Sequence, residues 1–238
     1  MTAVAIAKVQ DVSHRAPPKW AAVVQDTLVP LPRQRLKARD ILAQAGITEG
    51  LLVRDFNQPV DFVFAPNDDV DLAEGNVFAV RDACDANNKP DSSAQPKCAF
   101  VADDAWEITV QPTQTVESLR GLFDLPDDAV ILRDLESPND VVLESGTKIH
   151  FKDGPVLRVR ITSVTVKVNN NPVRFTKRVV TGLEVKQTAI AQGVSIDVGC
   201  VLYRLKKGGG LGPAIGDQDR IALKQCDEFR CVAPDDNS

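Results

Sequence analysis

The sequence predicts an α+β protein built as three tandem copies of one small module. Three observations carry that prediction: a repeat with a spacing of 79 residues, short strand-like runs flanking one amphipathic helix in a copy, and a composition ordinary for globular domains. The repeat needs no gap across its central stretch. Leu52-Val53-Arg54-Asp55-Phe56, Pro59, Asp61, Val70, Gly75, Val77, Phe78 and Val80 return 79 residues later. Their counterparts are Ile131-Leu132-Arg133-Asp134-Leu135, Pro138, Asp140, Ile149, Gly154, Val156, Leu157 and Val159. Upstream, Pro32-x-Gln34-x-Leu36 recurs as Pro112-x-Gln114-x-Val116. At the far end, Asp69-Val70-x-Leu72 and Phe78 return as Arg220-Ile221-x-Leu223 and Phe229, an offset of 151. Three such copies account for the 238 residues.

The second copy shows the element order of a module most plainly. Ala99–Ala102 and Trp106–Val110 flank Asp103-Asp104-Ala105, which reads as two strands and a tight turn. Gln111–Thr115 breaks the strand and offers Thr115 as an N-cap. Val116, Leu119, Leu122 and Phe123 then follow at helical spacing until Pro126-Asp127-Asp128. Val130–Leu132, Val141–Leu143, Lys148–Phe151 and Val156–Val159 are further short strands. A helix of a few turns across one face of a mixed sheet gives each module a small core of its own. The main helices are expected to begin near Lys37, Val116 and Leu183.

Composition removes several classes of function. A net charge of −5 and a pI near 5.1 argue against a nucleic-acid binder, which needs a basic face. No apolar run approaches the ~18 residues of a membrane span. The opening residues lack the basic start of a secretory signal, so a cytoplasmic protein is expected. The five cysteines (Cys84, Cys98, Cys200, Cys226, Cys231) form no C-x-x-C pair. With only His14 and His150 beside them they predict idle or buried thiols, with neither a metal site nor a disulfide framework. No nucleophile has a base in reach by pattern: His14 falls before the first strand, and His150 alternates with Ile149 and Phe151 on a strand. The acid pairs Asp68-Asp69, Asp103-Asp104 and Asp127-Asp128 fall at turns, where aspartate is common. The residues predict no enzyme and no cofactor.

From Ile108 to Leu119 the chain runs from the second strand into the helix as ubiquitin does, and this order resembles the β-grasp class. The third copy is more specific. Val166-Lys167-Val168-Asn169-Asn170-Asn171, followed by Val180-Thr181-Gly182-Leu183-Glu184-Val185, resembles the bacterial multiubiquitin family. There a V-x-V-N strand and turn precede a second strand, and T-G-x-E-I opens the helix. The local chemistry agrees: consecutive asparagines tolerate the positive φ of a hairpin turn, and Thr181 with Glu184 makes a capping box. Phe229 matches the family's closing aromatic residue. The resemblance implies three tandem ubiquitin-like β-grasp domains over residues 18–82, 97–160 and 161–233. An N-terminal tail (1–17), a linker (83–96) and a C-terminal tail (234–238) complete the chain.

The resemblance also implies a function. Family members are tandem ubiquitin-like modifiers encoded beside an activating enzyme, a conjugating enzyme and a JAB-type deconjugating peptidase, in operons of antiphage defence. The chain departs from ubiquitin at its end, where Glu228–Ala233 is followed by Pro234-Asp235-Asp236-Asn237-Ser238 with no Gly-Gly. Three readings stay open: a peptidase trims the tail, the activating enzyme accepts another terminus, or the protein is not conjugated and instead self-assembles through sheet edges. The conjugation or processing region is therefore expected at Val232, Ala233 and Pro234. A partner-binding surface is expected at Tyr203, with Val201 and Leu205 on the same strand face and Leu202 inward. Tyr203–Gly210 imitates a ubiquitin tail in composition, but Arg220–Leu223 must still complete the third sheet, so this glycine run reads as a loop. Polar residues 82–97 read as a linker that leaves the first module freer, whereas near-continuous strand character from Val156 to Val168 couples the second module to the third.

Overall fold

A computed structural model of the chain describes residues 16–58, 62–82, 93–206 and 208–233. His14, Pro59, Asp61, Cys84, Lys207 and the tail from Pro234 onward lie outside the described residues, as do 1–15 of the expected N-terminal tail and 83–92 of the expected linker.

Among the described residues the main elements are three α-helices and three five-stranded mixed sheets. The first unit runs β1 (Trp20–Val24), β2 (Thr27–Leu31), β3 (Arg35–Lys37), α1 (Ala38–Gln44), β4 (Leu51–Arg54), β5 (Phe62–Phe64), β6 (Asp69–Asp71) and β7 (Val77–Arg81). Its sheet is ordered β2-β1-β7-β4-β5, with β1 and β7 parallel and the other neighbours antiparallel. The second unit comprises β8 (Cys98–Ala102), β9 (Ala105–Thr109), β10 (Thr113–Gln114), α2 (Val116–Leu122), β11 (Val130–Arg133), β12 (Val141–Val142), β13 (Ile149–His150) and β14 (Val156–Arg160). The third comprises β15 (Val164–Val168), β16 (Asn171–Phe175), β17 (Val179–Thr181), α3 (Gly182–Ala191), β18 (Val201–Leu205), β19 (Leu211–Ile215), β20 (Arg220–Ala222) and β21 (Glu228–Val232). Their sheets, β9-β8-β14-β11-β12 and β16-β15-β21-β18-β19, repeat the first unit's order strand for strand. A two-stranded ladder beside each sheet (β3-β6, β10-β13, β17-β20) ties the helix start to the crossing that leads back to the last strand.

Local chemistry explains the boundaries. Thr115 and Thr181 cap α2 and α3, and Ser118 and Glu184 at N3 complete both capping boxes. Lys37 at the start of α1 makes no side-chain cap. Asn169 and Asn170, with φ of 47° and 68°, form the turn between β15 and β16. Phe151 belongs to a 3-10 turn (Phe151–Asp153) and not to the strand expected over Lys148–Phe151. Gly154, with φ of 109°, ends that turn, and Gly75 with φ of 122° ends its counterpart Leu72–Glu74. The strands of the second and third units do not run together, because Ile161–Ser163 separates β14 from β15. The Gly208–Gly210 run lies in the β18–β19 connection, as a loop should.

Each unit buries one core between helix and sheet. Phe78, Leu157 and Phe229 occupy matching positions on β7, β14 and β21, and all three are buried. The strands that follow the helices carry matching arginines, Arg54 and Arg133 at the ends of β4 and β11 and Arg204 one residue before the end of β18. Each guanidinium donates to a backbone carbonyl of the crossing segment, at Asp71, Asp153 and Ala222 respectively. Arg54 lies 5.1 Å from the Phe64 ring centroid and Arg204 5.3 Å from that of Phe229.

Candidate functional site: the outer sheet face and strand end of the third unit

A sheet covered on one face by a helix has a second face, and the three units treat it differently. In β1 (WAAVV) and β8 (CAFVA) all five residues are buried, so both faces of these strands are covered. The outer faces of the first two units lie against each other, with Val23, Val77 and Ala99 forming a small core that Leu28 and Trp106 flank. Asn76, fully buried, completes it: Nδ2 donates to the carbonyls of Ala21 and Ala99, both at 2.9 Å, and Oδ1 accepts from Ala99 N–H at 2.7 Å.

The leading segments of these two units are exchanged reciprocally. Lys19 N–H donates to the Asp134 carbonyl at 3.1 Å, and Lys97 N–H donates to the Asp55 carbonyl at 3.0 Å. Glu136 N–H donates to Pro17 at 2.9 Å and Asn57 N–H to Gln95 at 3.0 Å. The side chains repeat the exchange, with Lys19–Asp134 at 3.0 Å and Lys97–Asp55 at 2.7 Å. This is the arrangement of an isologous dimer written into one chain. At the end of the expected 83–96 linker, Gln95 and Pro96 pair with the first unit at Asn57 and Phe56, and the first unit packs against the second instead of standing freer.

Between the second and third units Ile161 packs against both cores, and charged side chains make further contacts. Arg178, buried, donates to the Ala102 carbonyl and to Asp103 Oδ2, both at 2.8 Å. Arg220 meets Asp104 at 2.9 Å, and Lys224 pairs with Glu107. Asp103 and Asp104 are turn residues, as expected, and also anchor the third unit. Sequence reasoning missed that role because their cationic partners lie more than seventy positions away.

The third unit keeps its outer face uncovered among the described residues. By register, Val23 and Val77 of the first unit correspond to Lys167 and Glu228, which form an exposed pair at 2.8 Å. β15 alternates buried and exposed residues, unlike β1 and β8. Leu202 is fully buried, whereas Val201, Tyr203 and Leu205 are partly exposed on the other face of β18. Val201 and Tyr203 stand opposite Val232 and Arg230 on one side, and Tyr203 and Leu205 stand opposite Ala214 and Leu211 on the other. The face thus has an apolar and aromatic centre with Arg230, Lys167 and Arg174 around it.

The chain leaves this same face. Phe229 is buried and Cys231 shares its inward direction, while Val232 and Ala233 are exposed. Pro234, the third residue expected in the processing region, lies outside the described residues. The thiol expectation is corrected here. Cys200 and Cys231 are joined as a disulfide with a Cα–Cα distance of 5.6 Å, because the pairing of Leu202 on β18 with Cys231 on β21 brings Cys200, just ahead of β18, within reach across 31 residues. Cys98 is a buried free thiol whose pKa is pushed up to about 11 by burial, and Cys226 is exposed.

Other candidates stay apart. His150 Nδ1 bonds the Thr113 hydroxyl at 3.1 Å, across the β10–β13 ladder. Among the described residues no group of three or more His, Cys, Asp or Glu could hold a metal ion. No described helix is long and apolar enough to cross a membrane. No protein-family model matches the chain, and no curated protein matches it significantly.

Proposed function

We propose that the chain is a bacterial ubiquitin-like modifier made of three β-grasp domains, in which the third domain is the working unit. The observation that carries this reading is the placement of the open sheet face and the departing chain on one domain, with Tyr203 one strand from Arg230 and Val201 opposite Val232. Strand order two-one-five-three-four with parallel first and last strands supports the β-grasp assignment of each unit. In this account the first two domains cover each other's outer faces and form a pedestal. Tyr203, Val201 and Leu205 dock a cognate activating enzyme, conjugating enzyme and deconjugating peptidase, and the activated carboxylate lies at or beyond Val232. The protein acts in the cytoplasm, in antiphage defence, and is itself a substrate and not an enzyme.

The test is carboxylate activation. Incubation with the cognate activating enzyme and ATP is expected to give a species linked through a thioester, lost on treatment with a thiol. A chain that never acquires that linkage counts against the modifier reading. A second reading, a non-covalent scaffold that oligomerises through its sheets, is favoured by one observation: outer faces of this fold already pair within the chain, through Val23, Val77 and Ala99.

A further inference from the structure

We propose that Cys200 and Cys231 are a reversible oxidation site that latches the last strand of the third unit. The bridge occurs in one unit of three, at positions where the others pack without sulfur. Register pairs Val80 with Leu52, Val159 with Ile131 and Cys231 with Leu202, so Gly50 and Ala129, each two residues earlier, stand where the third unit has Cys200. The first two pairs fill that corner of the core with a small residue against valine, so packing alone does not require the cysteines.

The latch sits at the end of β21, beyond its parallel ladder. Its parallel partner β15 pairs with it only at Glu228 and Phe229. Beyond Phe229, one side is held by β18 and the other by the Asn169 side chain, which accepts from Cys231 N–H at 2.9 Å and donates to its carbonyl at 3.3 Å. The disulfide closes a loop across 31 residues and ties this end to the start of β18. Cross-links of that kind hold a strand end against local opening. Both cysteines are buried, at 5% and 8% exposure, so a reductant reaches the sulfurs when the end of β21 opens.

The co-reactant is a dithiol of the thioredoxin class. Its thiolate attacks one sulfur and breaks the S–S bond, giving a mixed disulfide and a free protein thiol; its second thiol then releases the other. Two electrons and two protons pass from the dithiol to Cys200 and Cys231, and the reductant leaves as its own disulfide. The oxidised chain holds residues through Val232 in the sheet, and the reduced chain releases them from about Arg230.

The experiment is hydrogen exchange on the full chain in oxidised and reduced form, beside Cys200→Ala/Cys231→Val, which installs the second unit's Ala129–Val159 pair. Reduction is expected to speed exchange of the Cys231 and Val232 amides about ten- to a hundredfold. Val166 and Val173 amides are expected to stay unchanged, and the double variant should behave as the reduced form whatever the redox state. Equal exchange in oxidised and reduced wild type, which needs no variant to fold, overturns the proposal. So does alkylation of both thiols in air-oxidised chain. None of these readouts depends on conjugation, so the latch and the modifier reading stand or fall separately.

Discussion

Asn76 of the first unit grips the backbone of Ala99 in the second on both sides, accepting its N–H at 2.7 Å and donating to its carbonyl at 2.9 Å. A side chain here takes the part of a neighbouring strand, in a setting without exposure to water. Its counterpart 79 residues on is Pro155, so an otherwise reciprocal interface carries one such clamp. Asn76→Ala takes this partner from the Ala99 N–H and from the Ala21 and Ala99 carbonyls and is expected to destabilise the chain by about 2–4 kcal/mol, read from denaturant unfolding. A change below about 0.5 kcal/mol, the range of ordinary surface substitutions, would show that the first two units do not depend on this contact.

Gly154 and Gly75 test the same interface through shape. At φ of 109° and 122° both occupy backbone that side chains avoid, and a Cβ at either would meet the exchanged segment, Pro18 for Gly154 and Pro96 for Gly75 at 2.8 Å. Gly154→Ala and Gly75→Ala are each expected to cost about 2–4 kcal/mol. Gly146, with φ of 76° but open space around it, is the control and should lose about 1 kcal/mol. Thermal melting of the three variants checks the ranking.

Tyr203 separates surface from core. Tyr203→Ala is expected to abolish binding of the activating enzyme while leaving the melting temperature within a degree or two, on the order of the 0.5 kcal/mol typical of surface changes. Leu202→Ala, one residue away but fully buried, should instead destabilise by about 2–5 kcal/mol. Loss of stability in Tyr203→Ala with binding intact would assign the ring to packing.

Acid should unfold the chain through specific carboxylates. Burial pulls the Asp71 pKa upward, but hydrogen bonds from Gln34, Ala73 and Arg35 outweigh it and the net direction is down. Glu184 is lowered by its hydrogen bond from Lys177 and by the Thr181 N–H of the capping box. A carboxylate depressed in the folded state stabilises above its unfolded pKa of about 4, and that stability is lost as pH falls through the folded value. Asp227 acts in the reverse sense, since burial raises it against the pull of Arg204. Melting temperature is therefore expected to fall steadily from pH 5 toward pH 2, and less steeply in Asp71→Asn.

Much of this architecture was legible because its signals are local. Thr115 and Thr181 announce their helices, the three asparagines at 169–171 announce a turn, and the repeat aligns Phe78, Leu157 and Phe229 as core residues. The packing of the first two units also left a trace that alternation rules pass over. Trp20–Val24 and Cys98–Ala102 are apolar without alternation, the mark of strands covered on both faces, whereas Val164–Val168 alternates. What could not be read depends on long-range geometry. Cys200 and Cys231 carry no spacing motif and meet only because β18 and β21 are neighbours, and Asp103 finds Arg178 only across a unit boundary.

As a modifier, the protein delivers a carboxylate at or beyond Val232 of its third unit to its partners. The most direct measurement is the intact mass of the chain recovered from cells that co-express the genes flanking its own. Loss of a few residues after Val232, with trimming near Ala233, or a mass equal to the chain joined to another protein, is the expected result. Recovery of only the unchanged 25.8 kDa species, still assembling and still protecting cells, would contradict it and leave the scaffold reading.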